Sequence, residues 1–227
     1  MKAFIPIFLL LLVWNPRILM AQEHYNYTVK YGFIKAGHAR LEFDQIEQRL
    51  QSRFTIQSSR WLSRLWKMDD AIESTYNLTT GELLTHKKRI REGKYKRDYQ
   101  VTFDWQDSLI SINDDQQVMK HARLKDIPSL LYHMRGVPLE VGDTLFYTLF
   151  DGRSTGRLSL HIQAMEHIHV DGNKIPAYEL RPLERSEKAE ENDLFITIWL
   201  SVKEPHIPVQ LSIDTRYGDA VMTLQHN

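Results

Sequence analysis

The stretch that decides the fold runs from Leu194 to Leu224 and reads LFITIWLSVKEPHIPVQLSIDTRYGDAVMTL. Apolar residues recur at every second position, so that Ile196 and Ile198 share one face of an extended segment. The alternation resumes after the turns at Pro205 and Gly218. A period of two that is broken by proline and glycine turns is typical of antiparallel strands with one face on a core. The stretch therefore predicts a β meander.

The same alternation recurs along the rest of the chain. The first strand begins at Tyr25. The longest alternation runs from Tyr95 to Trp105 and places Phe103 on a core face. Trp199 of the later meander is also expected to be buried. About a dozen such segments predict one all-β domain, mainly antiparallel, in the form of a strongly curved meander sheet or half-open barrel.

One or two short helices are expected between the strands. Asp126 can cap a helix that continues to Arg135, and a proline is tolerated in its first turn. The segment Trp61–Trp66 carries apolar residues at helical spacing, which favours a short helix or an apolar loop tucked against the sheet.

Gly37 is expected to end a tight connection between the first two strands, where glycine is free to take a positive φ.

The N-terminus has the composition of a secretory signal peptide. Lys2 precedes an apolar run of about a dozen residues, and Ala21 offers a cleavage site before Gln22. Arg17, beyond the apolar run, favours the alternative of an uncleaved anchor. We therefore expect a signal peptide over residues 1–21 and a single domain over residues 22–227. The protein would be exported, periplasmic or secreted, and soluble rather than membrane-spanning after cleavage.

Composition excludes several classes of site. The chain has 227 residues, no cysteine, and 29 basic against 29 acidic residues. The absence of cysteine excludes disulfides, thiolate zinc sites and a lipid anchor on an N-terminal cysteine. The balanced charge gives no global field for a polyanion, and together with export it predicts that nucleic acid is not a partner. The sequence indicates no cofactor.

Two motifs could carry catalysis. The segment Gly152–Gly156 matches G-x-S-x-G, but a nucleophile elbow needs a helix next, whereas a strand pattern follows. Ser154 would qualify only within hydrogen-bond reach of a histidine that itself meets a carboxylate. His167 and His169 share a strand face near His161, yet no third metal ligand completes a zinc site. We therefore predict no catalytic and no metal residues, and no enzyme.

Basic residues crowd one predicted hairpin: Lys87, Lys88, Arg89, Arg91, Lys94, Lys96 and Arg97. They indicate either a solvated hairpin that resists edge pairing or a surface for anionic lipid headgroups or polysaccharide. By strand parity Arg97 shares the face of Tyr99, so it would be buried with an acidic partner such as Asp69, or would line a pocket with a polar mouth.

Four phrases of the sequence, taken in order, resemble one family. They are YTVKYGFIKAG at residues 27–37, REGKY at 91–95, DIPSLLYHMR at 126–135, and IWLS at 198–201 with IPV at 207–209. Together they are similar to the DUF3108 family of exported bacterial proteins, and the resemblance covers nearly the whole chain after the signal peptide. Val202-Lys203-Glu204 departs from the family, which carries an acidic residue soon after Trp-Leu-Ser. The resemblance implies a Gram-negative envelope setting and a curved β-sheet, and it brings no catalytic residues.

Aromatic side chains suggest two hypotheses for function. In the first, a lipid-like or other apolar ligand binds inside the curved sheet. The candidate ligand-binding residues are Tyr27, Tyr31, Trp61, Trp66, Tyr95, Arg97, Tyr99 and Phe103. In the second, the rings fill the core, and an exposed apolar or basic surface docks onto an envelope protein assembly or polysaccharide. A cavity on the concave face distinguishes the first hypothesis from the second.

Overall fold

The computed structural model describes residues 21–121, 123–183, 196–215 and 218–225. Their strands form one sheet in the order β8-β7-β6-β5-β4-β3-β2-β1-β15-β14-β13-β12-β11-β10-β9. The strands are β1 Ala21–Tyr31, β2 Ile34–Ile46, β3 Arg49–Ser58, β4 Asp69–Asn77, β5 Leu83–Glu92, β6 Tyr95–Asp104, β7 Leu109–Ile112, β8 Asp115–Val118, β9 Leu124–Lys125, β10 Thr144–Phe150, β11 Thr155–Val170, β12 Asn173–Pro182, β13 Ile196–Ser201, β14 Pro208–Thr215 and β15 Gly218–Leu224. Every pairing is antiparallel except that of β9 with β10. The predicted meander is confirmed.

The decisive C-terminal stretch forms β13, β14 and β15 with the predicted parity. Ile196, Ile198 and Leu200 are buried in the main core. Trp199 lies on the opposite face, half-buried beside a smaller cluster around Val209. The expectation that Trp199 belongs to the core is therefore wrong, because the face it occupies is covered only in part.

The sheet curls without closing into a barrel. Phe103 on β6 packs edge-on against Phe150 on β10, with ring centroids 5.3 Å apart, although these strands lie near opposite edges of the sheet. The Lys88 ammonium also donates to the carbonyl oxygen of Asp151 across the same gap, at 2.9 Å. Side-chain contacts rather than hydrogen bonds between paired strands thus join the two edges of the sheet, as a half-open barrel requires.

The one α-helix of the described residues, α1 (Ile127–Met134), fills the concave side of the sheet. Its Leu130, Leu131 and Met134 are fully buried in the main core. Asp126 caps it as predicted, because its carboxylate accepts the backbone N–H of Ser129 at 3.0 Å in a reciprocal capping box. The helix occupies space where a ligand cavity would otherwise lie.

Gly37 plays a different part from the one expected. The β1–β2 turn is made by Gly32, whose φ is 55°, and Phe33, whereas Gly37 lies within β2 opposite Ser58. A methyl group on Gly37 would sit 2.1 Å from the carbonyl oxygen of Gln57. The expectation of a turn at Gly37 is wrong; glycine is needed there because two backbones approach closely.

Replacing Gly37 by alanine is expected to lower the free energy of unfolding by about 1–3 kcal/mol, since backbone rather than a flexible side chain must move. Gly156, also in a strand but with open space around it, provides the matched control. Its replacement by alanine is expected to change stability by less than about 0.5 kcal/mol. Urea unfolding curves of both variants check the difference, and equal midpoints would contradict it.

The predicted signal peptide, residues 1–21, lies almost wholly outside the described residues, which begin at Ala21. Within the described ranges, no helix has the length and apolar character needed to cross a membrane.

Candidate functional site

The predicted ligand-binding residues separate into two groups, and the first group belongs to the core. Tyr27 is fully buried, and its hydroxyl donates to the carbonyl oxygen of Pro208 at 2.9 Å. Phe103 is 8% exposed, and Tyr99 packs half-buried against the same core. Tyr31 is half-buried at the end of β1. The rings of Tyr27, Tyr99 and Phe103 therefore pack in the interior instead of lining an open cavity, whereas Tyr31 is only partly buried.

The second group lies outside the core. Trp61, Trp66 and Tyr95 are 51%, 53% and 49% exposed. Arg97 is also exposed, with its guanidinium 5.1 Å from the centre of the Tyr95 ring. The expectation that Arg97 is buried with an acidic partner is wrong. Equally, the segment Trp61–Trp66 contains a 3₁₀ helix, Leu62–Arg64, but its tryptophans are not tucked against the sheet.

Further exposed apolar side chains surround this second group. Together they form what we call the loop patch: Phe33, Ile34, Trp61, Leu65, Trp66 and Tyr95. They come from the β1–β2, β3–β4 and β5–β6 connections. Because these six strands are neighbours in an antiparallel sheet, the three connections emerge at the same end of it. The sheet topology therefore gathers apolar residues from three separate parts of the sequence.

Backbone hydrogen bonds brace the three connections against one another. The N–H of Ser59 donates to the carbonyl oxygen of Ala36 at 2.7 Å, and the N–H of Gly93 donates to that of Lys67 at 2.7 Å. A methyl group on Gly93 would lie 3.7 Å from the Trp66 ring, so the β5–β6 turn also packs against this tryptophan. The loop patch is thus held in position although its side chains are exposed.

Positive charge surrounds the loop patch. The exposed cations on the same connections are Lys35, Arg60, Arg64, Lys67, Lys94, Lys96 and Arg97. Two acidic residues close to them in sequence, Asp69 and Asp98, are already paired with Arg89 and Arg91. A third, Glu92, is half-buried. Burial, together with a hydrogen bond and the charge of Asp70, raises the pKa of Glu92, so its negative charge is disfavoured. The loop patch therefore combines apolar rings with excess positive charge.

The rest of the predicted basic hairpin is partly neutralised by acidic neighbours. Arg89 pairs with Asp69 at 3.1 Å, and Arg91 binds both carboxylate oxygens of Asp98 at 2.8 Å. Positive charge without such partners remains mainly at the tip, where the hairpin joins the loop patch.

The catalytic and metal motifs do not assemble into a site in the described residues. The hydroxyl of Ser154 donates to the Asp151 carboxylate at 3.3 Å, within the β10–β11 turn. His167 and His169 are exposed on β11, and His161 contacts the hydroxyl of Thr144 at 3.2 Å. No group of three or more His, Cys, Asp or Glu side chains in the described ranges could hold a metal ion.

A buried polar network, which the sequence did not reveal, links α1 to the inner face of the sheet. The Nδ1 of His86 lies 2.9 Å from one oxygen of the Asp126 carboxylate, which also accepts the Ser74 hydroxyl. The other oxygen accepts the hydroxyl of Ser129 at 2.6 Å. Ser74 in turn contacts Ser52 at 3.1 Å. The network thereby ties β3, β4 and β5 to the start of the helix.

The electrostatics of this network favour an ionised Asp126. Burial by itself raises the pKa of Asp126, but the hydrogen bond and charge of His86, with the Ser129 and Ser74 hydroxyls, outweigh it and leave the pKa below its usual value. The Nε2 of His86 is buried without a hydrogen-bond partner, and a methyl group on Gly152 would lie 3.1 Å from it. The histidine therefore meets a carboxylate on one side but no serine on the other, which is not the geometry of a Ser–His–Asp hydrolase.

Comparisons with known proteins agree with this architecture. One solved structure, a "Beta-barrel-like Protein of Domain of Unknown Function DUF1849 from Brucella abortus", superposes with a TM-score of 0.60 at 10% sequence identity, covering 92% of this chain and 96% of that one. The similarity concerns the fold alone. A comparison with curated proteins finds no match. The model of the family described as "Protein of unknown function (DUF3108)" matches residues 26–225. The chain therefore belongs to the DUF3108 family.

Proposed function

We propose that the protein is a non-catalytic component of the cell envelope that docks on an anionic lipid surface through the loop patch. The observation that carries the proposal is the coincidence of exposed rings and exposed cations on three braced connections at one end of the sheet. The signal-peptide pattern supports an envelope location, where anionic lipid is the available polyanion.

The side chains of the loop patch have the properties of an interfacial surface. Tryptophan and tyrosine favour the membrane–water interface because their rings are apolar and carry a polar group. Phe33 and Leu65 are the most exposed members and would insert furthest among the acyl chains. Arg64 and Lys67, which flank Leu65, would then meet headgroups, each contributing about 1 kcal/mol near an anionic surface.

The alternative of a ligand inside the curved sheet has less support. Tyr27 and Phe103, which would line such a cavity, are buried among other core residues, and α1 covers the concave side. Trp61 and Trp66 lie outside it. For these reasons we place lipid contact at the loop patch rather than within the sheet.

Binding to lipid vesicles tests this proposal. We expect the protein, purified without detergent, to float with vesicles that contain phosphatidylglycerol and not with vesicles of phosphatidylcholine alone. The double substitution Arg64→Gln/Lys67→Gln should cost about 2 kcal/mol of binding, or about 30-fold in affinity. The double substitution Trp61→Ala/Trp66→Ala should also weaken binding, but with less dependence on salt concentration. A mass measurement on the same sample shows whether the chain begins at Gln22.

The matched control is Arg157→Gln/Lys174→Gln, which removes the same charge from exposed sites on β11 and β12. It should bind anionic vesicles as the unmodified protein does. If both pairs of substitutions weakened binding equally, net charge alone would explain the effect, which would count against the loop patch. Unchanged binding after removal of the patch residues would also count against it.

A further inference from the structure

A cleft lies at the opposite end of the same strands from the loop patch. It opens between the β4–β5 turn, the C-terminal end of α1 and the turn that precedes β14, and its volume is about 620 Å³. This is within the roughly 300–1,000 Å³ range of small-molecule sites. None of the residues predicted to bind ligand lines it.

Lys125 is the central polar residue of this cleft. It is 6% exposed, and its ammonium group donates to the hydroxyl of Tyr76 and, at 3.4 Å, to the carbonyl oxygen of Gly81. Neither partner is charged. Burial lowers the pKa of Lys125 to about 8, even though neighbouring Asp126 acts to raise it. Buried cations are ordinarily paired with an anion, so the described residues leave this ammonium without the partner its environment calls for.

Other basic side chains of the cleft also indicate a site for an anionic group. Arg135 pairs with Glu23 at 2.8 Å, yet its Nε is buried without a hydrogen-bond partner. Arg123 is exposed and lines the cleft, and its charge contributes to lowering the pKa of Lys125. His133 also lines the cleft, where burial and then the charge of Lys125 lower its pKa. The lining thus offers the basic side chains of Lys125, Arg123 and Arg135 against the single carboxylate of Glu23.

The remaining lining is apolar. Leu78 and the rings of Tyr76 and Tyr132 form part of the wall. The cleft therefore suits a ligand with a negatively charged group and an apolar body.

We propose that this cleft binds a small amphipathic anion, with its phosphate or carboxylate at Lys125 and its apolar part along Leu78 and Tyr132. The site is separate from the loop patch, and the proposal goes beyond docking on a membrane. The same chemistry is found in a lipid headgroup with its chains and in a soluble phosphorylated or carboxylated metabolite. Chain length of the probe distinguishes these sources.

Isothermal titration calorimetry with dodecyl phosphate, below the concentration at which it forms micelles, tests the proposal. We expect saturable binding of one molecule, at least tenfold weaker binding to Lys125→Met, and no change in Lys174→Met, which alters an exposed lysine of β12. At pH 8 Lys125 is about half protonated, so binding should take up about half a proton. This uptake, read from heats in buffers of different ionisation enthalpy, should disappear in Lys125→Met.

Several results would overturn the proposal: no saturable heat at millimolar dodecyl phosphate, equal affinity of Lys125→Met, or inorganic phosphate binding as tightly as the amphiphile. Butyl phosphate binding as well as dodecyl phosphate would support a short soluble ligand, whereas a steep gain with chain length would support a lipid. Thermal melting checks that Lys125→Met is folded. If it is not, Arg123→Gln at an exposed position replaces it, with a severalfold loss expected.

The variant Arg64→Gln/Lys67→Gln separates this site from the proposed function. It should bind dodecyl phosphate normally, because the loop patch lies at the other end of the strands. Loss of vesicle binding with retained dodecyl phosphate binding is expected in this variant, and the reverse pattern is expected in Lys125→Met. Failure of one proposal therefore leaves the other intact.

Discussion

Replacing Asp126 by alanine is expected to lower the free energy of unfolding by about 3–5 kcal/mol, because several buried polar groups lose their common carboxylate partner. The substitution removes the carboxylate that lies 2.9 Å from the Nδ1 of His86 and accepts the Ser74 hydroxyl. It also removes the cap of α1, because the N–H of Ser129 loses its acceptor. Guanidinium unfolding at pH 7 measures the loss.

The control for Asp126 is Asp98→Ala, which breaks a bidentate ion pair with Arg91 on the surface. That change should cost less than about 1 kcal/mol, since exposed pairs contribute little. Asp126→Asn keeps an oxygen that can cap the helix but removes the charge, so its cost isolates the ionic part. Stability within about 0.5 kcal/mol of the unmodified protein for Asp126→Ala would contradict a role for the network in holding the helix.

The pH dependence of this stabilisation has a defined sign. The pKa of Asp126 is lower in the folded protein than in the unfolded chain, where it is about 3.9. The contribution of its carboxylate is therefore complete above the unfolded pKa and is lost as the pH falls through the folded pKa. The difference that the carboxylate makes between the unmodified protein and Asp126→Ala should persist at pH 5 and shrink only below about pH 4.

Replacing Phe103 by alanine is expected to cost about 3–5 kcal/mol, the range for deleting a buried ring. Phe103 stacks on Trp105 at 6.0 Å and packs edge-on against Phe150 at 5.3 Å. Phe150 in turn packs edge-on against His86 at 5.3 Å. The substitution therefore removes a contact between strands near opposite edges of the sheet and loosens the packing next to the buried network of His86 and Asp126.

Phe146→Ala is the matched control for Phe103, because it deletes the same ring from a site on β10 that is 74% exposed. Its effect should lie within about 0.5 kcal/mol. Similar losses in the two variants, measured as midpoints of urea unfolding, would mean that strand parity does not separate core from surface in this sheet.

Strand parity predicted much of the core correctly. It placed Ile198, Leu200 and Phe103 inside, and all three are buried. It was wrong for Arg97, which shares the parity of Phe103 but lies near the tip of the β5–β6 hairpin. Parity tells which face of a strand a side chain occupies, whereas burial also requires another element to cover that face. Phe103 is covered by other residues of the core, whereas no described element covers the residues of β6 that lie next to the hairpin turn.

The loop patch was predictable only in part. The sequence singles out Trp61, Trp66 and Tyr95 as aromatic candidates for ligand binding, but it predicts them inside the curved sheet, whereas they are exposed. Their association with Phe33 depends on three connections meeting at one end of the sheet. The buried network and the cleft are not predictable from local patterns, because His86 and Lys125 acquire their partners Asp126 and Tyr76 from distant parts of the chain.

The sequence by itself determined the β meander, the capped helix at Asp126 and the family, because period-two alternation, turn residues and capping motifs act over a few neighbouring residues. Only the tertiary structure decided which aromatic residues belong to the core, where Lys125 and His86 lie, and how the two edges of the sheet meet. These features depend on the curvature of the sheet, which brings Phe103 against Phe150 from strands near opposite edges. Curvature is a collective property of all the strands, so no local pattern encodes it.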